Sequence, residues 1–320
     1  MDSQNEQIIR QWAGQVSGLP TVKLFATSDP RSQVLEEFLS ELQRLAPGVR
    51  VVRDEPGDTT LPFMDVGAGV RYRAVPLDSE LTPFLESLAE PAGGGAPPAA
   101  EELSLPAHFE LYIAPGCPFC PQVAARMARW VRGVAMAQLT IADSILFDDL
   151  SAARQIRSVP TLILDEDFRW STMPAETELV DVMANRDPSR LGAEALEDYL
   201  TNGRASALAD LMLGQGKIFP AYLELLVSSR WSTRLGAMVA FEYICAANRA
   251  MAARVVEPLC RQFDGLAETV QGDVLQILGL TGSRRVTDFL DSVAGGAYGA
   301  AVRSAARETL VEMETAEGHG

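Results

Sequence analysis

Two kinds of hydrophobic pattern divide the chain. Up to about residue 200, short apolar runs alternate with longer amphipathic stretches. His108 to Ile113 reads HFELYI and predicts a strand; Gln122 to Val131 reads QVAARMARWV, with apolar residues at helical steps, and predicts a helix. A helix over Ile145 to Ile156 is predicted next, then an apolar strand run from Thr161 to Leu164 with Pro160 at its entry. Alternation of this kind predicts an α/β fold. From about Arg204 onward it stops. Apolar residues there recur at three- and four-residue steps, with breaks at Ser228-Ser229, Ala247-Asn248, Gly265, Thr281-Gly282-Ser283 and Gly295-Gly296. That pattern predicts an all-α region.

The α/β part contains its own pattern twice. Val22 to Thr27 reads VKLFAT, and Asp29-Pro30-Arg31-Ser32 stands 88 residues before Cys117-Pro118-Phe119-Cys120. Leu61-Pro62-Phe63 matches Val159-Pro160-Thr161 at an offset of 98, as do Arg71-Tyr72 with Arg169-Trp170, Pro76 with Pro174, and Glu80-Leu81 with Glu178-Leu179. An offset that changes once, by ten residues, means a duplication with one insertion, because chance matches scatter. The division that follows is a first unit over 1–90, a linker over 91–103 (PAGGGAPPAAEE is linker-like), a second unit over 104–190 and a helical region over 204–320. In the helical region, Gly236, Gly272 and Ser304 head three similar segments, spaced 36 and 32 apart, with VVEPLC and VTDFLD between them. Helix pairs at such a period read as an α-solenoid.

Charge and composition narrow the partners. The net charge is −16 at pH 7, which argues against a nucleic-acid or anionic-membrane surface, since phosphates need Lys and Arg. No apolar run reaches transmembrane length, and MDSQNEQIIRQW lacks the basic and apolar regions of a signal peptide. The expected location is cytoplasmic, where a CxxC is redox-active more often than structural.

The candidate chemistry lies at Cys117 and Cys120. The strand-to-helix change around them places Cys117 at a helix N-terminus, where backbone N–H groups and the helix dipole favour a thiolate. Cys117 is the candidate nucleophile and Cys120 the resolving thiol. The other reading, half of a zinc site, needs two further ligands; no metal is expected. Glu110, seven residues before Cys117, is a candidate proton acceptor for the resolving thiol if its face of the strand points under the pair, and otherwise an exposed strand residue. Pro118 removes an N–H near the sulfur, and Phe119 offers an apolar surface to a partner. Cys245 and Cys260 lie on apolar helix faces and read as small buried hydrophobes, although a bond between them is compatible with their spacing.

CPFC, a helix and strand, and then SVPT resemble the thioredoxin and glutaredoxin arrangement. The resemblance implies a cis proline at Pro160 packed beside the disulfide, and substrate hydrogen bonds to the backbone of Val159. Two tandem folds, the first without thiols, are similar to the N-terminal domain of the flavoprotein subunit of alkyl hydroperoxide reductase and to the two-unit protein disulfide oxidoreductases. VRYRAVPLDSELTPFLESL (Val70 to Leu88) carries much of that likeness, and the peroxide-reductase family implies a glutamate at the position of Glu110. The last third resembles HEAT-like repeats, with Val302-Arg303, Ala305 and Leu310 fitting their second helix. The function so implied is thiol–disulfide exchange on protein disulfides, with no cofactor and with electrons from a separate reductase or thiol. The alternative is a redox-sensing adaptor whose helical repeats bind a protein partner.

Overall fold

The computed structural model describes residues 1–16, 18, 20–54, 59–89, 105–134, 136–165, 168–201 and 203–317. The expected linker over 91–103 lies outside them. The chain forms two compact units, Met1–Arg186 and Asp187–Gly320.

The first unit is built on one eight-stranded sheet. Its strands are β1 (Thr21–Phe25), β2 (Arg50–Asp54), β3 (Phe63–Asp65), β4 (Val70–Arg73), β5 (Ala107–Ile113), β6 (Ala137–Asp143), β7 (Thr161–Leu164) and β8 (Phe168–Trp170). They lie in the order β2-β1-β3-β4-β6-β5-β7-β8, which is one four-strand pattern used twice. In each half a parallel pair is followed by an antiparallel hairpin. The halves join where β4 pairs in parallel with β6, Val70 lying opposite Leu139.

The helices of this unit are α1 (Ser3–Ala13), α2 (Arg31–Leu45), α3 (Leu81–Ala89), α4 (Cys120–Arg132), α5 (Asp148–Ala153) and α6 (Glu176–Ala184). The two sequence offsets acquire a structural meaning here. Up to β2 and β6 the copies run in step. The ten extra residues then fall between β6 and β7, where the second copy makes α5; among the described residues the first copy makes no helix at that point.

The joint between the halves depends on a glycine. Gly69 has φ +78°, and its carbonyl accepts the N–H of Leu139 at 2.7 Å. A Cβ there would lie 2.5 Å from the carbonyl oxygen of Ala137. Only a residue without a side chain permits the β4–β6 approach.

Strand β5 shows how the sheet divides its side chains. Ala107, Phe109, Leu111 and Ile113 point into the main core with Val123, Met127 and Trp130 of α4, and Phe109 meets Trp130 edge-on with centroids 5.8 Å apart. Each such buried large side chain contributes on the order of 2 kcal/mol. Tyr112 points to the other face and packs with Ala142 and Ile163, against Leu150 of α5. The helix expected over Ile145–Ile156 is shorter than its pattern suggests. Phe147, at φ −112° and ψ 57°, breaks the run before Asp148, and Gln155 at φ +54° lies beyond its end.

The second unit is helical throughout its described residues: α7 (Ala193–Thr201), α8 (Ala205–Gln215), α9 (Pro220–Leu226), α10 (Trp231–Ala247), α11 (Arg249–Ala252), α12 (Val256–Gln262), α13 (Glu268–Leu280), α14 (Arg284–Gly295) and α15 (Ala300–Glu317). It begins at Asp187 rather than 204, because α7 buries Ala195, Leu196 and Tyr199 in this unit's own core. Helix α10 packs on α13, and α13 on α15. Those three are the segments that the 36- and 32-residue spacing aligns. Arg234 of α10 and Asp273 of α13 tie two of them together at 2.6 Å. Among the described residues no helix of either unit is long and apolar enough to cross a membrane.

Candidate functional site

Strands β1, β2, β4, β5 and β6 all run the same way, so their C-terminal ends share one edge of the sheet. Open α/β sheets place their ligand sites at that edge. The chain leaves β5 through Ala114-Pro115-Gly116-Cys117, a turn closed by the N–H of Cys117 on the carbonyl of Ala114 at 3.2 Å. Gly116 supplies φ +77° after a proline, the pairing that a type II turn favours. Helix α4 then starts at Cys120.

Cys117 and Cys120 form a disulfide with Cα atoms 5.5 Å apart. The two sulfurs have different surroundings. Cys120 is fully buried in the main core, whereas Cys117 is half-buried at its margin. The backbone N–H of Cys120 donates to Sγ of Cys117 at 3.2 Å. That donor is the first N–H of α4, and such groups have no partner inside a helix. It supplies what Pro118 cannot. Val159–Pro160 is a cis peptide bond, and the carbonyl oxygen of Val159 lies 3.9 Å from Sγ of Cys117. Leu61–Pro62, its match in the first copy, is trans. Pro118 and Phe119 are exposed, Phe119 to 68%. The structure therefore gathers Cys117, Cys120, Pro118, Phe119, Val159 and Pro160 in one place.

Glu110 is not among them. Alternation along β5 puts it on the face of Tyr112, opposite the face that carries Leu111 and Ile113 to α4. Its carboxylate is already engaged. It accepts from the Tyr112 hydroxyl at 2.6 Å and from Arg154 at 2.8 and 3.1 Å. Burial, with the neighbouring carboxylate second, drives the Tyr112 hydroxyl well above its ordinary pKa. The expectation of a carboxylate under the disulfide is corrected accordingly: at Glu110 the geometry is that of an ion pair beside α5.

A different carboxylate is buried at the same edge. Glu80 follows β4, in a turn (Asp78–Glu80) that packs on α4. It is 6% exposed, and neither of its oxygens finds a hydrogen-bond partner. Burial, with Asp143 nearby as the lesser cause, pushes its carboxyl up to about 7. The repeat pairs Glu80 with Glu178, which makes it look like part of the duplicated scaffold. Glu178 is exposed and accepts from the Trp170 indole at 2.7 Å. The β4–β6 joint, which among the described residues has no counterpart beyond β8, buries one glutamate while the other stays in water.

The silent counterpart of the CxxC has become a lattice of polar contacts. Ser32 Oγ accepts the N–H of Thr27 and donates to its carbonyl, both at 2.9 Å. Arg31 Nε donates to Asp29 at 2.8 Å. The hydrogen bond from Arg31 also holds the Asp29 carboxyl below its usual range. Cys245 and Cys260 are unbonded, and burial raises both thiols, Cys245 to about 11. Among the described residues no group of three or more His, Cys, Asp or Glu is placed to hold a metal ion.

Residues 107–184 match the family described as "Thioredoxin domain". The chain is 30% identical over 164 residues to the F subunit of alkyl hydroperoxide reductase from Xanthomonas campestris pv. phaseoli, covering 46% of this chain and 29% of that protein. It is 24% identical over 226 residues to a protein named NADH dehydrogenase from Ferdinandcohnia aciditolerans, covering 65% and 42%. The chain thus spans less than half the length of these curated relatives. Among solved structures, the N-terminal NTD_N/C domain of alkylhydroperoxide reductase AhpF from Enterococcus faecalis aligns with a TM-score of 0.48 at 18% identity, over 57% of this chain and 99% of that one. A protein disulfide oxidoreductase from Aeropyrum pernix aligns at 0.46 and 15% identity, over 59% and 95%. The first unit is a thioredoxin-like fold with a cysteine pair at CxxC spacing.

Proposed function

We propose that the chain is a thiol–disulfide oxidoreductase acting on protein disulfides. The observation that carries this reading is the asymmetry of the pair: a half-buried Cys117 whose sulfur receives a helix N-terminal N–H, and a fully buried Cys120 behind it. In the dithiol form, the Cys117 thiolate attacks one sulfur of a substrate disulfide. A mixed disulfide forms, and the other substrate sulfur leaves as a thiolate that takes a proton from water. Cys120 then loses its proton and attacks Sγ of Cys117. The second substrate thiol is released, and the chain is left oxidised with two electrons transferred.

Glu80 suits the proton transfer to and from Cys120. A buried carboxylate with a pKa near 7 is matched to a general base at neutral pH. Val159, Pro118 and Phe119 form the surface that a substrate meets, and the buried Pro160 holds Val159 in place through its cis bond. Reducing equivalents come from a separate reductase or thiol, and a reducing compartment such as the cytoplasm is where this direction of flow belongs. The test is trapping. With Cys120→Ser, a mixed disulfide on Cys117 accumulates with protein substrates and disappears when Cys117 is replaced as well. Failure to trap any adduct from a protein disulfide that the wild type reduces would sink the reading.

One observation favours a second role for the helical unit. Trp231, Leu235, Val239 and Tyr243 stand at four-residue steps along α10, and all four are exposed. Such a stripe suits the apolar face of a partner's amphipathic helix. In the adaptor reading, that partner is gripped or released as the cysteine pair changes state. Turnover separates the two: an enzyme reduces many equivalents of substrate when supplied with reductant, whereas a sensor reacts once.

A further inference from the structure

The β6–α5 loop stands beside the redox loop and is held at its start by three hydrogen bonds. Its Ser144 N–H donates to the carbonyl of Ile113, at the end of β5, at 2.8 Å. The carboxylate of Asp143 accepts the N–H groups of Ile145 at 2.8 Å and Leu146 at 3.3 Å. Pinned so, Ile145 projects into solvent, 68% exposed, as does Phe119 on the adjoining loop. Two large apolar side chains are thereby presented on neighbouring loops at the edge that carries Cys117. Val159 stands on the β7 side of that sulfur, and the Ile145 loop lies on the β6 side.

The far end of the same loop is gripped by the silent copy. Arg31 donates to both oxygens of Asp149, at 2.5 and 3.1 Å, and its guanidinium lies 4.4 Å from the ring centroid of the buried Phe147. Asp29 aims the guanidinium through two further bonds, at 2.8 and 2.6 Å. At the offset of 88, Arg31 matches Phe119 and Asp29 matches Cys117. The residues that in the active copy face a substrate have become, in the silent copy, a clamp on the active copy's loop. A planar, bidentate and stacked arginine fixes geometry in a way that a lysine cannot.

Resting on the oxidoreductase reading, we propose that Arg31 is a positioning residue for protein substrates: through Asp149 and Phe147 it holds Ile145 beside the redox loop, so that Ile145 and Phe119 receive an extended peptide whose disulfide cysteine has an apolar neighbour. The silent copy is then part of the specificity apparatus as well as scaffold.

The experiment compares two cyclic disulfide peptides that differ only in Leu or Ser next to one cysteine, using the full chain. The wild type prefers the Leu peptide in kcat/KM. Ile145→Ser lowers that preference by about tenfold, the worth of one well-packed apolar contact. Arg31→Met and the surface variant Asp149→Asn lower it in the same direction, mainly through KM, and Arg31→Lys restores part of it. Because both changes act through one contact, Arg31→Met with Ile145→Ser loses little more preference than Ile145→Ser alone. Equal slowing of both peptides, or an unchanged preference in Ile145→Ser or in Arg31→Met, overturns the proposal. A second readout needs no turnover: fluorescence anisotropy of the labelled, reduced Leu peptide on a chain carrying Cys117→Ser and Cys120→Ser. Weaker binding after Arg31→Met supports the clamp, and undiminished binding overturns it. If the peptide binds in this way while the wild type reduces neither disulfide, the oxidoreductase reading fails and the docking surface stands.

Discussion

The N–H of Cys120 points at Sγ of Cys117 from 3.2 Å; in the proposed reaction, the residue that resolves the mixed disulfide thus also stabilises the thiolate that starts it. The other two thiols have the opposite surroundings, with burial raising both, Cys245 to about 11. After reduction, Cys117 should react with iodoacetamide at pH 7 at least about tenfold faster than Cys245 or Cys260. Peptide mass spectrometry over a time course checks this, and comparable rates at the three sites would remove the assignment.

In the proposed reaction Glu80 ties activity to pH. An ordinary glutamate ionises near 4.5, and this one at about 7. As pH rises between those values, the unfolded chain gives up a proton that the folded chain keeps. The folded state is therefore favoured most below pH 4.5 and loses stability as pH climbs through 7. Glu80→Gln should leave stability unchanged at pH 4 and raise it by on the order of 2–3 kcal/mol at pH 8, since each tenfold change in proton affinity is worth about 1.4 kcal/mol. The same variant should slow disulfide reduction at pH 7.5 by on the order of 10²-fold and abolish the rise in rate centred near pH 7. Denaturant titrations at the two pH values and a pH–rate profile test both halves.

The joint between the copies can be probed with two glycines. Gly67 and Gly69 both have positive φ, +83° and +78°, but a Cβ at Gly67 meets nothing within 4 Å. Each Gly→Ala change carries the left-handed backbone cost of about 1–2 kcal/mol. Gly69→Ala adds the clash with the carbonyl of Ala137 and should be the more destabilising of the two in urea. Equal losses would mean that β4 and β6 are free to separate.

Where the first unit can be cut follows from Arg186. Its guanidinium is ion-paired with Asp165, both side chains being almost fully buried, and it donates to the carbonyl of Leu105 at 3.3 Å. A chain ending at residue 190 should fold and keep disulfide reductase activity. One ending at Asn185 leaves Asp165 buried without its cation and should be less stable by about 3–5 kcal/mol. Thermal melts of the two shortened chains distinguish them, and matching melting temperatures would show that this pair is dispensable.

Local chemistry was legible from residues alone. The CPFC turn, the proline forty residues on, the duplication and the helical last third all follow from short motifs and from period-2 or period-3.6 patterning, because backbone geometry sets which side chains share a face within a few residues. Even the face of Glu110 was readable: Phe109, Leu111 and Ile113 alternate with it, and an amphipathic helix seeks the apolar side. Other features required the assembled sheet. Glu80 and Glu178 are equivalent in the repeat, yet one is buried and the other solvated, because β4 finds β6 beside it while β8 has no further neighbour. Arg31 and Asp149 are 118 positions apart and meet only because β4–β6 pairing brings the two copies edge to edge. Sequence pattern determined most of the elements, and a short motif the cysteine pair; long-range strand pairing decided which carboxylate lost its water and which silent residue touched the active half, since desolvation and ion pairing depend on neighbours that no local pattern encodes.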